Sequence, residues 1–239
     1  MKFELHPLGD HAVIIELGTE INLDTHQKVK IVTALLDEHP EEWMVEYVPA
    51  FTTVTVFYDP IKVLNHLNDS SGRLPYDLVC QQLKVKLTNV TTGNDTESRI
   101  VEIPVLYGGD VGPDLHTVAE KNHLTPQEVI DIHSGGDYLV YMIGFAPGFP
   151  YIGGMSNEIA TPRRKTPRLN IPAGTVGIAG QQTGVYPIET PGGWQLIGKT
   201  PIKLFRPNHD QPSLLQAGDQ IRFKPITQQE FNDWEEEVE

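Results

Sequence analysis

Cysteine is almost missing from this chain: Cys80 is the only one in 239 residues. A single thiol excludes an intrachain disulfide and fits a reducing compartment, so a cytoplasmic protein is expected. Long apolar runs are missing as well. No window nears the ~20 uninterrupted apolar residues that a membrane-crossing helix needs. The N-terminus, MKFELHPLGD, has an acid at its fourth position and no signal-like apolar core. No membrane contact is expected. Positive charge is scarce too, with 18 Lys and Arg against 32 Asp and Glu and a net charge of −14. Phosphate backbones demand broad faces of clustered Lys and Arg, so nucleic acid is not an expected partner. Catalytic signatures are also lacking. Nine histidines form no H-E-x-x-H and no Cys/His cluster, which leaves a metal site unsupported. There is no G-x-S-x-G, and Ser156 has no recognisable partner.

What is present is an ordinary globular composition, 39% hydrophobic and 21% charged. The length allows one large domain or two small ones. Residues 5–17 read as two short strands around a Gly9-Asp10 turn. A helix over 24–38 presents Val29, Val32, Leu35 and Leu36 on one face and stops at His39-Pro40. Strands follow at Val45–Ala50 and Thr53–Asp59, then helices opened by Pro60 and Pro75. Cys80 faces the inner side of the second of these and reads as core. The pattern predicts an α+β domain over residues 1–90. A polar, turn-forming stretch at 91–98 is the expected linker.

The second half opens with a strand at Ile100–Leu106. Two short helices follow, near 114–122 and from Thr125, where Thr125-Pro126-Gln127-Glu128 spells a capping box with proline at the first helical position. A strand at Tyr138–Ile143 leads into the glycine-rich stretch 144–200. Thirteen of the chain's 21 glycines lie between Gly135 and Gly198, interleaved with prolines. That density excludes a long helix and predicts short strands joined by shaped turns. Further strands are expected at Val176–Ala179, Trp194–Ile197, Ile202–Phe205 and Ile221–Ile226. The expected second domain spans 99–228, with a partly frayed acidic tail at 229–239.

Three features invite a functional reading. Gly193–Thr200 matches the phosphate-loop pattern G-x4-G-K-[ST], yet its middle reads as a buried strand. Pro201 and Pro207 leave no room for the helix that such a loop requires. The helices at 114–133 could pass for a helix-turn-helix. They carry Asp114, Glu120, Glu128 and Asp131 against the single Lys121, which speaks for a packed cover and not a DNA reader. His133 reads as a structural residue closing a helix. Arg163, Arg164, Lys165 and Arg168 form the one dense basic cluster, on a loop bounded by Pro162 and Pro167. It is either a solvated face or an anion site.

Several longer strings carry a resemblance: Ile103–Gly109 (IPVLYGG), Gly144–Tyr151 (GFAPGFPY), Pro162-Arg163-Arg164, Pro172–Gly180 (PAGTVGIAG) and Thr190–Gly198 (TPGGWQLIG), with Leu8-Gly9-Asp10 and Pro49–Thr53 in the first half. In this order they resemble the allophanate hydrolase subunit 1 superfamily. Within it they are similar to the branch of stand-alone 5-oxoprolinase B subunits and KipI-type inhibitors of sporulation histidine kinases. The resemblance implies an α+β N-terminal domain followed by a mainly β, cyclophilin-like barrel. It implies a protein that, with two partner subunits (A and C), opens 5-oxo-L-proline to L-glutamate at the expense of ATP. ATP would be used by the complex and none held tightly by this chain. Phosphate and substrate carboxylate would then call on Arg163, Arg164, Lys165, Arg168 and Lys199, with Gln181, Gln182 and Tyr186 as neutral pocket groups. The alternative is a protein that binds a sensor histidine kinase and blocks its autophosphorylation. Phe145, Pro147, Phe149, Pro150 and Tyr151 would then form the contact patch, unless they are barrel core.

Overall fold

The computed structural model describes residues 1–67, 72–88 and 99–238. The chain divides into two compact units, Met1–Glu97 and Ser98–Glu239. The linker expected at 91–98 lies outside the described residues.

In the first unit, β1 (Glu4–Pro7) and β2 (Ala12–Glu16) are followed by α1 (Leu23–Glu38), β3 (Met44–Pro49), β4 (Thr53–Tyr58), α2 (Pro60–Leu67) and α3 (Pro75–Thr88). The antiparallel sheet runs β1-β2-β4-β3. Period-two patterning sends Val13, Ile15, Val54, Val56 and Tyr58 to one face, where they pack on Val29, Val32 and Leu36 of α1 and Leu78, Val79 and Leu83 of α3. Asn22 starts α1 by accepting the Thr25 N–H at 2.9 Å. Cys80 belongs to this core.

The second unit is built on a closed seven-stranded barrel, so the mixed α/β chain includes a barrel domain. Its strands are β5 (Ile100–Tyr107), β6 (Tyr138–Ile143), β7 (Pro150–Gly153), β9 (Thr175–Ala179), β10 (Gln182–Val185), β12 (Gln195–Lys199) and β13 (Gln220–Pro225), closing in the order β10-β7-β6-β13-β5-β12-β9. Among the described residues only the β13–β5 pairing is parallel. Two further strands, β8 (Arg168–Ile171) and β11 (Thr190–Gly192), pair with each other outside the barrel. Helices α4 (Leu115–Lys121) and α5 (Pro126–Ser134) carry Leu115, Val118 and Val129 into the barrel core, against Ile103, Val105, Val176, Ile178 and Ile197. Both arms of the Thr125–Glu128 capping box are formed.

Two expectations are corrected. Residues 202–205 form no strand; only Phe205 bridges to Ser213, because Pro201 and Pro207 flank the stretch and deny it a ladder. The tail is not frayed at its start: α6 spans Gln228–Val238. Thr227 and Glu230 cap it reciprocally, at 2.7 Å and 3.3 Å, and Phe231 is buried.

Inside the barrel, His133 of α5 is fully buried and anchors a one-way hydrogen-bond chain. Thr183 donates to the Gly177 carbonyl at 3.2 Å, so it accepts from His133 Nε2 at 2.8 Å. Nδ1 is then the unprotonated nitrogen and accepts from the Tyr107 hydroxyl at 2.7 Å. Every polar atom of the triad is satisfied only while the imidazole is neutral. Burial pushes its pKa down to about 3. The unfolded chain takes up that proton near pH 6.5 and the folded one does not, so between these values the unfolded state binds more protons. Stability from this group is therefore complete above pH 6.5 and falls on acidification, by up to about 1.4 kcal/mol per pH unit. Thermal melts between pH 7.5 and 5 are expected to show this slope, and His133→Phe is expected to flatten it while lowering stability at pH 7.5.

Candidate functional site

The basic loop is held at several points. Thr161 and Gly180 exchange backbone hydrogen bonds of 3.1 and 2.8 Å, the Arg164 N–H donates to the Gly193 carbonyl at 2.7 Å, and Arg168 enters β8 opposite Gly192 of β11. Gln195 Nε2 donates to the Pro162 carbonyl at 2.9 Å. These bonds fix the chain path, and Pro162 and Pro167 stiffen it.

At its centre lies Asp114, just before α4, with its side chain only 6% exposed. Its Oδ1 accepts from Arg164 Nη1 at 2.9 Å and from Arg168 Nη2 at 2.9 Å. Its Oδ2 accepts from Arg168 Nη1 at 2.8 Å and from the Leu196 N–H of β12 at 2.7 Å. Burial alone would raise the carboxyl pKa. The Arg168 fork, the Leu196 amide and the two cationic charges outweigh it and hold the group below its ordinary value. One carboxylate thus joins loop, helix and strand and neutralises one of two guanidinium charges.

Beside this clamp stands an aromatic wall. Phe149 meets Tyr151, Tyr186 and Trp194 edge-on, at ring separations of 5.5, 6.1 and 6.1 Å, and Tyr186 meets Trp194 at 6.0 Å. Ile171 and Leu196 complete the cluster. The indole needs a bare backbone beneath it: a Cβ on Gly184 would lie 3.1 Å from Trp194 Cζ3. The Tyr186 phenol is buried, which pushes its pKa up to about 12, although Arg163, the Trp194 backbone and Arg168 pull the other way. It is neutral at physiological pH.

The structure brings together Arg164, Arg168, Tyr186 and Phe149, around Gly192–Trp194. Arg163 and Lys165 are exposed on the same loop, and among the described residues they make no ion pair. Gln181 and Gln182 are exposed where β9 turns into β10, beside the Thr161–Gly180 bridge. Lys199 lies at the opposite end of β12 from Trp194, roughly 16 Å along the strand, with its Nζ 5.6 Å from the Phe231 ring centre. The phosphate-loop pattern is largely a barrel strand, as its apolar middle predicted. Of the aromatic and proline residues, Phe149 and Pro150 are buried, Tyr151 is half-buried, and Phe145 and Pro147 are exposed. Asp114 and Trp194 are not among the site candidates that the sequence offers. Asp114 reads there as a helix-end charge, and its partners lie 50 and 54 residues away. Among the described residues no group of three or more His, Cys, Asp or Glu could hold a metal ion, and no helix is long and apolar enough to cross a membrane.

The carboxylate–diguanidinium clamp thus carries one net positive charge and stands beside an aromatic wall. Residues 3–215 match the family described as carboxyltransferase domain, subdomain C and D. The chain is 50% identical to the B subunit of 5-oxoprolinase from Bacillus subtilis over 99% of this chain and 98% of that one. It is 40% identical to the corresponding B subunit of Escherichia coli O157:H7, covering 91% and 94%. Among solved structures it resembles a conserved uncharacterized protein of Pyrococcus horikoshii, with a TM-score of 0.55 and 42% identity over 95% of this chain and all of that one. The chain belongs to the carboxyltransferase subdomain C and D family and, within it, to the family of 5-oxoprolinase B subunits.

In Asp114→Asn one acceptor oxygen remains, but the negative charge is lost and an NH2 faces two of the four N–H donors that the carboxylate accepted. Asp114→Asn is expected to destabilise the barrel unit by about 2 kcal/mol in urea unfolding. Arg168→Ala should cost more than Arg164→Ala, because Arg168 makes both bonds of the fork and its side chain is 23% exposed against 37%.

Proposed function

We propose that this chain is the B subunit of an ATP-dependent 5-oxoprolinase, acting with two partner subunits to open 5-oxo-L-proline to L-glutamate. The observation that carries this reading is end-to-end similarity, 50% identity over essentially the whole of both chains, to a protein of that name. The clamp and its exposed neighbours Arg163 and Lys165 agree with it, since both the substrate and phosphorylated species derived from it are anions. The barrel is read as cyclophilin-like in shape, which carries no prolyl isomerase activity with it. The domain limits are read as 1–90 and 99–228. ATP is read as a reactant of the complex, in the cytoplasm.

A lactam carbonyl is a weak electrophile, and phosphorylation of its oxygen by ATP, releasing ADP, makes the ring carbon attackable. Water adds there, the C–N bond breaks with its electrons going to nitrogen, and the resulting acyl phosphate is hydrolysed by a second water to glutamate and phosphate. Cations that hold the carboxylate and offset charge developing on the phosphoryl group are what this chain supplies. The kinase-binding alternative gains no separate support from its contact patch, since Phe149 is part of the aromatic core and Pro150 is buried.

The test is reconstitution. Purified with the A and C subunits, the chain is expected to support ATP-dependent glutamate formation from 5-oxoproline and to show none alone. Full activity of the A and C subunits without it, or none with all three, would overturn the reading.

A further inference from the structure

The basic loop meets the aromatic wall at Gly192–Trp194, and the free groups of its arginines are unequal. Arg168 gives both terminal nitrogens to Asp114. Arg164 gives only Nη1, and its side chain is 37% exposed. Arg163 is exposed with no ion pair among the described residues and directly precedes Arg164 in the loop. Next to Gly193, whose carbonyl holds the Arg164 backbone, Trp194 is half-buried. The wall runs from it through Phe149 to half-buried Tyr151 and to Phe145.

Phe145 has φ +68°, in the left-handed region, and the residue is 74% exposed. A bulky residue there is a true outlier that costs about 1–2 kcal/mol. The strain does not serve burial: it holds a large ring in water, edge-on to Phe149 at 5.5 Å. Such strain concentrates where a chain meets a ligand.

The chemistry of this face selects among anions. A nucleoside triphosphate needs a cradle of unpaired backbone amides, as at a glycine loop or a helix N-terminus. The phosphate-loop pattern offers none: Leu196, Gly198 and Lys199 are in register with β9, and β5 flanks the other side. A single carboxylate suits two guanidiniums with free donors, and a compact apolar ring suits the aromatic edge. We propose that this face is the substrate subsite of the complex: Arg163 and Arg164 pair with the carboxylate of the lactam acid, its ring lies against Trp194, Tyr151 and Phe145, and the nucleotide is held by another part of the assembly. Asp114 is the positioning residue that aims Arg164. The proposal rests on the 5-oxoprolinase reading.

The assembled three-subunit complex provides the test, with two readouts. In steady-state kinetics, Arg163→Ala and Arg164→Ala are expected to raise the KM for 5-oxoproline at least about tenfold, with the KM for ATP within about twofold of wild type, and Phe145→Ala to raise the former several-fold. By calorimetric titration, 5-oxoproline is expected to bind at least about tenfold more tightly than 2-pyrrolidone, which lacks the carboxylate, and Arg163→Ala is expected to remove that difference. Arg163 makes no ion pair among the described residues, so its variant is expected to fold. An unchanged KM for 5-oxoproline in Arg163→Ala and Arg164→Ala, or a rise in the KM for ATP instead, would overturn the subsite. If the wild-type complex shows no turnover, the functional reading fails, and the titration still decides the subsite: a carboxylate-dependent affinity lost in Arg163→Ala supports it, and equal affinities reject it.

Discussion

The candidate site of the second unit is organised around one buried carboxylate. Asp114 accepts four hydrogen bonds from three segments that are far from it in sequence: the basic loop, the start of β8 and the start of β12. A lone carboxylate would be costly to bury, and two guanidiniums side by side would repel. Together they make a directional junction with a buried carboxylate and one net positive charge, which leaves the loop basic without leaving it loose. The aromatic wall is the apolar counterpart of this junction. Its rings are fixed because Gly184 leaves room for the indole and Gly192 for the Tyr186 hydroxyl, where a Cβ would lie 2.5 Å from it.

Inside the barrel, Tyr107, His133 and Thr183 solve a similar problem with neutral groups. Their direction is set by the one group that can only accept, the Gly177 carbonyl. The triad ties α5 to β5 and β10, so the helical cover is joined to the barrel by hydrogen bonds as well as by Val129 and its neighbours. The two clusters respond to acid differently. The histidine begins to lose its stabilising effect as the pH falls below 6.5, whereas the contribution of the Asp114 clamp is kept until the pH falls below the ordinary carboxylate range and is lost as it drops toward the lowered value.

Much of the architecture was legible because it depends on near neighbours. The alternation of Val54, Val56 and Tyr58, the Thr125–Glu128 box and the prolines after Lys199 are all read within a few residues. The same kind of signal at Thr227-Gln-Gln-Glu230 marks α6, and was obscured by the acidic run behind it. Ile202–Phe205 looked like a strand by composition, but Pro201 and Pro207 left no partner for it.

The sequence by itself determined the alternating sheet of the first unit, the short-stranded glycine-rich second unit, the strand within its phosphate-loop pattern and the family. Only the tertiary structure decided which basic residues are committed to ion pairs within the protein and which are exposed, that Lys199 lies apart from the arginines, and that Phe149 is buried while Phe145 stands in water. The reason is range. Periodicity, caps and turns are interactions across two to four residues, whereas the charge state and exposure of a side chain depend on partners such as Asp114, fifty residues away and adjacent only once the barrel has closed.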